Sequence, residues 1–175
     1  MRGEYGRGVY TGGMKTFLVP VDFSAVSEEL IDTAVSFARS FSGKVLLLHI
    51  IQPPIITSEY ALPIEAVQES INASEKAAVV KLAKYAQQFK AAGLTVDTAV
   101  RQGPPVYGIL AEAEKSQADF IIMGSHGHGK LYDLLVGSTA SGVIKEAKCG
   151  VIIMPPEDRL NKSPAHDPQA HSVTA

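Results

Sequence analysis

Phe120-Ile121-Ile122-Met123-Gly124-Ser125-His126-Gly127-His128-Gly129-Lys130 closes a short apolar run on a glycine and repeats glycine at 127 and 129, before Gly137-Ser138-Thr139 opens the next segment. An apolar run of that length, bounded by glycine, reads as a buried strand. After Gly137 the period becomes helical, with Ala140, Val143, Ile144 and Ala147 expected to point inward from a helix over 138–147. The order is strand, glycine-rich turn, helix. Such a turn lets backbone N–H groups close on an anion, because no Cβ blocks the approach. The helix contributes its own unpaired N–H groups and the positive end of its dipole. The stretch predicts a nucleotide phosphate site. Glycines serve tight connections more often than ligands, but a hydroxyl pair at the helix start is more than a connection requires.

Two better-known phosphate patterns do not fit. Gly124-x4-Gly129-Lys130 approaches P-loop spacing, yet Leu131 stands where a magnesium-binding Ser or Thr is needed. Gly127-x-Gly129 fails the dinucleotide fingerprint, because Tyr132 occupies its third glycine position.

Nearer the start, Thr16 to Val21 reads as a strand apolar on both faces, with Pro20 at the carboxyl end where a lost ladder N–H matters least. Asp22-Phe23-Ser24 is the turn, and Ser24 is suited to cap the helix that follows. That helix carries Val26, Leu30, Ala34 and Ala38 on one stripe, with Ile31 and Val35 beside them, and Gly43 ends it. Lys44 to Ile51 forms a second strand, apolar except for Lys44 and His49, which reads as a satisfied core histidine. Pro53-Pro54 stops it, and a loop leads to Pro63.

A long helix is expected from Ile64 to about Ala92, with Gly93 at the C′ position. Its apolar seam is Val67, Ile71, Ser74, Ala78, Leu82, Tyr85 and Phe89, with Lys76, Lys81, Lys84 and Lys90 off the seam. Leu94 to Val100 alternates with period two, as a sheet edge with one wet face would. Gly103-Pro104-Pro105 opens a helix with proline in its first turn, turning Val106, Ile109, Leu110 and Ala113 inward. Val151-Ile152-Ile153-Met154 is a last short strand stopped by Pro155-Pro156.

Strands alternating with helices predict an α/β fold, a doubly wound parallel sheet of five strands with helices on both faces. In such sheets ligands bind beyond the carboxyl ends of the strands, where the winding reverses. The expected domain spans 14–156. Residues 1–13 read as a flexible leader, with Met14 a second plausible start, and 157–175 as a disordered tail containing His166 and His171.

The composition of the 175-residue chain, 46% apolar and 19% charged with a net charge of −2, is that of a globular domain with no electrostatic case for nucleic acid or an acidic membrane. No apolar run reaches bilayer length, and no hydrophobic secretory block opens the chain. Cys149 is the only cysteine. It reads as a small packed apolar group, and the expected compartment is the cytoplasm.

Gly124-x2-Gly127-x9-Gly137-Ser138 resembles the nucleotide-binding pattern of the universal stress protein family, in its ATP-binding branch. Val19-Pro20-Val21-Asp22-Phe23-Ser24, Leu47-Leu48-His49-Ile50 and Ala118-Asp119-Phe120-Ile121-Ile122-Met123-Gly124 resemble its companion segments. The likeness covers about Lys15 to Pro155. It implies an adenine nucleotide alpha-hydrolase-like sheet of order 3-2-1-4-5. It further implies that Val21 and Asp22 meet the adenosine end, that Pro20 and Ile50 line the adenine slot, and that Met123 packs near the ribose or base. Gly124, His126 and Gly127 would border ribose and phosphates, with His128 and Gly129 in the same loop. Gly137, Ser138 and Thr139 would hold phosphate oxygens through N–H and hydroxyl groups. Ala140 departs from the pattern, standing where some ATP-binding members carry a hydroxyl.

Asp22 also suits a helix-start carboxylate, and His126, His128 and Lys130 also suit an exposed loop; beside a phosphate either histidine would gain stability in its charged form. The expected ligand is ATP, with Mg2+ bridging the phosphates though no carboxylate cage or other dedicated metal site is evident. The expected assembly is a homodimer through Val151, Ile152, Ile153 and Met154, which would cover the sheet edge. The chain reads as a nucleotide-dependent stress sensor or adaptor with an unidentified protein partner. Two alternatives are a slow ATP hydrolase, against which stands the lack of an evident base or arginine near the loop, and a nucleotide-free dimeric scaffold.

Overall fold

The computed structural model describes residues 13–24, 26–52, 63–125 and 136–155. The expected leader (apart from Gly13), the 53–62 loop, the loop positions His126, Gly127, His128, Gly129 and Lys130, and the 157–175 tail lie outside them, as does the Val26 side chain. Among the described residues nine elements alternate: β1 (Thr16–Pro20), α1 (Val26–Ser40), β2 (Lys44–Ile51), α2 (Ile64–Ala91), β3 (Thr95–Gln102), α3 (Pro105–Lys115), β4 (Phe120–Gly124), α4 (Ser138–Glu146) and β5 (Gly150–Met154). All strand pairs are parallel, in the order β3-β2-β1-β4-β5.

Strands covered on both faces need apolar side chains on both, and β1 supplies them: Phe17 and Val19 face one layer, Leu18 the other. On the first face α1 contributes Leu30, Ile31, Ala34 and Ala38, and α2 contributes Leu82, Tyr85, Ala86 and Phe89. On the second, α3 supplies Ile109 and Ala113 and α4 supplies Ala140 and Val143 against Leu48, Ile121 and Met123. Full burial of one of the Leu, Ile, Val, Phe or Met side chains among these contributes about 1.5–3 kcal/mol.

The signals that end elements act as the sequence predicts. Gly93, at φ +75°, donates its N–H to Lys90 at 2.9 Å while Leu94 donates to Phe89 at 3.0 Å, so the last carbonyls of α2 are satisfied by a left-handed C′ residue. At Gly43 the reason is space, since a Cβ would lie 2.5 Å from the Phe17 ring and 2.8 Å from the Lys15 carbonyl.

Three local expectations fail. The α2 seam is buried only from Ala78 onward; Ser74 is exposed and Val67 and Ile71 are half-buried. Length explains it: a helix of 28 residues runs about 42 Å at 1.5 Å per residue, whereas a strand of 8 residues covers about 26 Å, so the first turns overhang the sheet. Ile144 is 48% exposed rather than packed, because α4 is short and rests on the sheet through Ala140 and Val143, with Ala147 partly buried at its end. Ser24 does not use its hydroxyl as an accepting cap; its Oγ and its N–H both donate to Asp22 Oδ1, at 2.7 and 3.0 Å. Among the described residues no helix is long and apolar enough to cross a membrane.

Candidate functional site

β1 is registered with β2 through five pairs, to Pro20↔Leu48, and β4 with β5 through five, to Gly124↔Met154. Between β1 and β4 the register holds only Phe17↔Phe120 and Leu18↔Ile121. Both strands continue beyond that point, so their carboxyl ends part and a crevice opens at the reversal of winding. Every site residue the sequence predicts within the described chain belongs to the segments around it.

One wall comes from the end of β1. Val21 is buried and donates its N–H to the Leu48 carbonyl at 2.8 Å, holding the chain against β2 for one residue past the strand. Asp22 Oδ1 accepts from Ser24 N–H, Ser24 Oγ and Ser27 Oγ, the last at 3.0 Å, so the carboxylate is fixed in place. Phe23 has φ 62°, a left-handed conformation that side-chain-bearing residues seldom hold. Its ring lies 4.3 Å from the His49 ring and 6.1 Å from Tyr85, with Lys81 Nζ 4.9 Å above it. Burial, then the charges of Glu28 and Asp22, push the Tyr85 hydroxyl above its ordinary pKa.

The second wall is β2. Because Leu48 directs its carbonyl at Val21, the alternation of a parallel ladder turns the N–H and C=O of Ile50 to the same side. The last β1 partner is Pro20, opposite Leu48, so these Ile50 groups look out beyond the end of β1. The Ile50 side chain is backed by α3, where a Cβ on Gly108 would come within 2.7 Å of its Cδ1.

The third wall is β4 with the start of α4. Met123 is 6% exposed and packs in the core under the crevice, and Gly124 is half-buried. Ser125 donates its N–H to Met154 at 2.8 Å and accepts the N–H of Gly137 at 2.7 Å, so the two ends of the glycine loop are tied together. The N–H expected from Gly137 is therefore directed at Ser125. The donors at this end are those of the first turn of α4, beginning at Ser138 and Thr139. Gly137 brings no side-chain cap to this helix, which leaves its N-terminal N–H groups suited to an anion. Ser138 is exposed and Thr139 half-buried.

Sequence reasoning missed Ser27, Phe23 and Ser125 as parts of this architecture. Ser27 was within reach, since Asp22-x-Ser24-x-x-Ser27 is the spacing of a carboxylate collecting donors from a helix start. The role of Phe23 depends on a backbone angle that composition does not encode. His49 is the satisfied histidine expected, its Nδ1–H donating to the Val21 carbonyl at 2.8 Å. Cys149 is half-buried, and burial first, against a partly offsetting backbone hydrogen bond, raises its thiol pKa. Among the described residues no cluster of His, Cys, Asp and Glu has the makings of a metal site.

Residues 13–155 match the family described as the Universal stress protein family. The chain is 31% identical over 144 residues to Universal stress protein MJ0531 of Methanocaldococcus jannaschii, covering 80% of this chain and 81% of that protein. The solved structure of MJ0577, from the same organism, superposes with a TM-score of 0.72 at 30% identity, covering 81% of this chain and 96% of the other. A universal stress protein of Archaeoglobus fulgidus solved in complex with dAMP has the same fold, with a TM-score of 0.55 at 22% identity, covering 81% and 97%.

Proposed function

The chain belongs to the universal stress protein family, and from that premise we propose that it binds ATP in the crevice between β1 and β4 as a nucleotide-dependent sensor or adaptor of the stress response. The observation that carries this reading is the parting of the two strands after Leu18 and Ile121, opposite an α4 whose N-terminus has no side-chain cap. The base enters between Pro20 and Ile50 and pairs with the Ile50 backbone. Adenine offers an acceptor at N1 beside a donor at N6, which complements an N–H beside a C=O; guanine presents the opposite order. Val21, Asp22 and Met123 meet the adenosine, and the 124–137 segment carries the phosphates to Ser138 and Thr139 with Gly124, His126, Gly127, His128 and Gly129 around them. Mg2+ bound with the triphosphate would offset part of its charge, and among the described residues no group of carboxylates is placed to hold the ion. The Archaeoglobus relative, which holds dAMP, supports an adenine ligand on this architecture.

The protein acts in the cytoplasm as a homodimer joined through Val151, Ile152, Ile153 and Met154. β5 is paired with β4 on one side only in the described sheet, and a second copy of the same strand would cover its outer edge. Nucleotide would order the loop and alter the surface offered to a protein partner.

Mass spectrometry of nucleotide released from freshly purified protein tests the proposal. Stoichiometric adenine nucleotide is expected, and an empty protein that takes up none on incubation with ATP and Mg2+ would favour the scaffold reading. Phosphate release compared with a Gly127→Val variant separates binder from hydrolase. Turnover lost with that substitution would establish an enzyme.

A further inference from the structure

The Val21 carbonyl is the acceptor that a continued β1–β2 ladder would offer to the N–H of Ile50. The preceding rung, Val21 N–H to the Leu48 carbonyl, is made at 2.8 Å. The next, from Ile50 N–H, is not, and the carbonyl is engaged by the His49 side chain, whose Nδ1–H donates to it at 2.8 Å. His49 is on the α1–α2 face of the sheet, and the Phe23 ring covers it at a centroid distance of 4.3 Å and an interplanar angle of 31°. To place its ring there Phe23 holds φ 62°, and Lys81 and Tyr85 of α2 press on it from outside. A strained residue persists only when its surroundings over-determine it, and three side chains do so here.

We infer that Phe23 and His49 are positioning residues for base recognition: the pair diverts the Val21 carbonyl and so keeps the Ile50 N–H for the ligand. The inference rests on the nucleotide reading above and deepens it by assigning adenine selectivity to residues on the far side of the sheet from the Ile50 side chain. Neither residue touches the base. Each acts through the backbone of Val21, Asp22 and Ile50. With the ring gone, His49 would leave the carbonyl, the ladder would extend by one rung, and the base would lose its donor. A site that hydrogen-bonds its ligand discriminates against analogues that cannot match it, so the loss falls on selectivity and spares phosphate affinity.

The test uses the full chain with Phe23→Ala, Phe23→Gly, Phe23→Tyr and His49→Phe, measuring Kd for ATP and GTP by calorimetry alongside thermal melting. Phe23→Gly removes the backbone strain together with the ring, so agreement between the alanine and glycine variants isolates the ring. Expected is a rise of about tenfold in Kd for ATP, with GTP changed by less than about twofold, in the alanine, glycine and histidine variants. Phe23→Tyr should restore the native preference. ATP and GTP weakening together, or a native ratio in Phe23→Gly, would overturn the inference. A second readout needs no ligand: side-chain nitrogen–proton NMR should show His49 as the Nδ1–H tautomer, with proton exchange about tenfold faster in Phe23→Ala and unchanged in Phe23→Tyr. A native protein that binds neither nucleotide contradicts the nucleotide reading, and the His49 proton then decides the clamp alone. An Nε2–H tautomer, or exchange unchanged in Phe23→Ala, contradicts the clamp whatever binds.

Discussion

Gly137 donates its backbone N–H to the carbonyl of Ser125 over 2.7 Å, and Ser125 donates its own N–H to Met154 at 2.8 Å. Through these two bonds the end of the last strand, the end of β4 and the start of α4 share one chain of backbone contacts. Gly137 has φ −69°, which proline also adopts, so Gly137→Pro keeps the backbone and deletes the donor. Losing one such bond should cost about 1 kcal/mol of stability. ATP affinity should fall about tenfold, or ~1.4 kcal/mol, because the first turn of α4 is no longer fixed relative to β4. Calorimetric titration checks this, and a Kd within about twofold of native would show that the tie does not position the phosphate donors.

Arg101, near the carboxyl end of β3, grips Glu112 of α3 through Nε at 2.7 Å and through a second nitrogen at 2.9 Å. The Glu112 side chain is 8% exposed and that of Arg101 is 40% exposed. Removing Arg101 leaves a buried carboxylate with only the exposed Lys115 Nζ at 4.0 Å to offset its charge, whereas removing both partners leaves no buried charge. Arg101→Met should therefore destabilise the fold by about 2 kcal/mol, a figure reduced from the fully buried case for the exposure of the arginine. Arg101→Met with Glu112→Met should recover most of the loss. Urea unfolding decides, and two equally damaged variants would mean that the pair contributes packing rather than charge compensation.

Much of this architecture was legible in the sequence, and the losses have identifiable causes. Apolar runs closed by glycine or proline located β1, β2, β4 and β5 to within a residue or two, because strands packed under helices leave little choice of side chain; β3, largely exposed, was located by its period-two alternation instead. Strand order came from family resemblance, since periodicity says which face of a strand is buried but not which strand lies beside it. Ser74 and Ile144 fit their helical periods yet escape burial, since period marks a face and cannot tell where the neighbouring sheet stops. Asp22 was identified as a site residue and the spacing of Ser24 and Ser27 behind it was there to be read, whereas the turned-back Phe23 needed a backbone angle to be seen. The tie between Ser125 and Gly137 joins residues on either side of the loop, and residue type carries no trace of a backbone bond.

At the opposite end of the sheet, burial works to raise the Asp119 pKa, but the Thr16 N–H at 2.8 Å and Lys15 Nζ at 3.0 Å prevail and hold it below its ordinary value. A carboxyl depressed in the folded state contributes stability that is fully present above the unfolded pKa, about 3.9, and is lost as pH falls through the lower folded value. Asp119→Asn should consequently melt below the native protein at neutral pH. The difference should shrink progressively as pH drops below about 4. A gap that persisted unchanged to the lowest accessible pH would assign the effect to shape rather than charge.

The outward edge of β5 makes the dimer proposal specific. Gly150 donates to Asp119 and Met154 accepts from Ser125, so the even residues of this strand face β4 and the N–H groups of Val151 and Ile153 point away. Ile153→Pro deletes an outward donor without touching the β4 ladder. Sedimentation velocity should find the native chain dimeric and this variant monomeric. The same mass for both proteins would remove the edge from consideration as the interface.

A crystal grown with excess ATP and Mg2+ addresses the crevice itself. Adenine should lie between Pro20 and Ile50 with its N1 and N6 on the Ile50 backbone, the ribose near Asp22, and the phosphates at Ser138 and Thr139. Nucleotide bound elsewhere, or a space between β1 and β4 filled by the protein's own side chains, would contradict the account and leave only the fold.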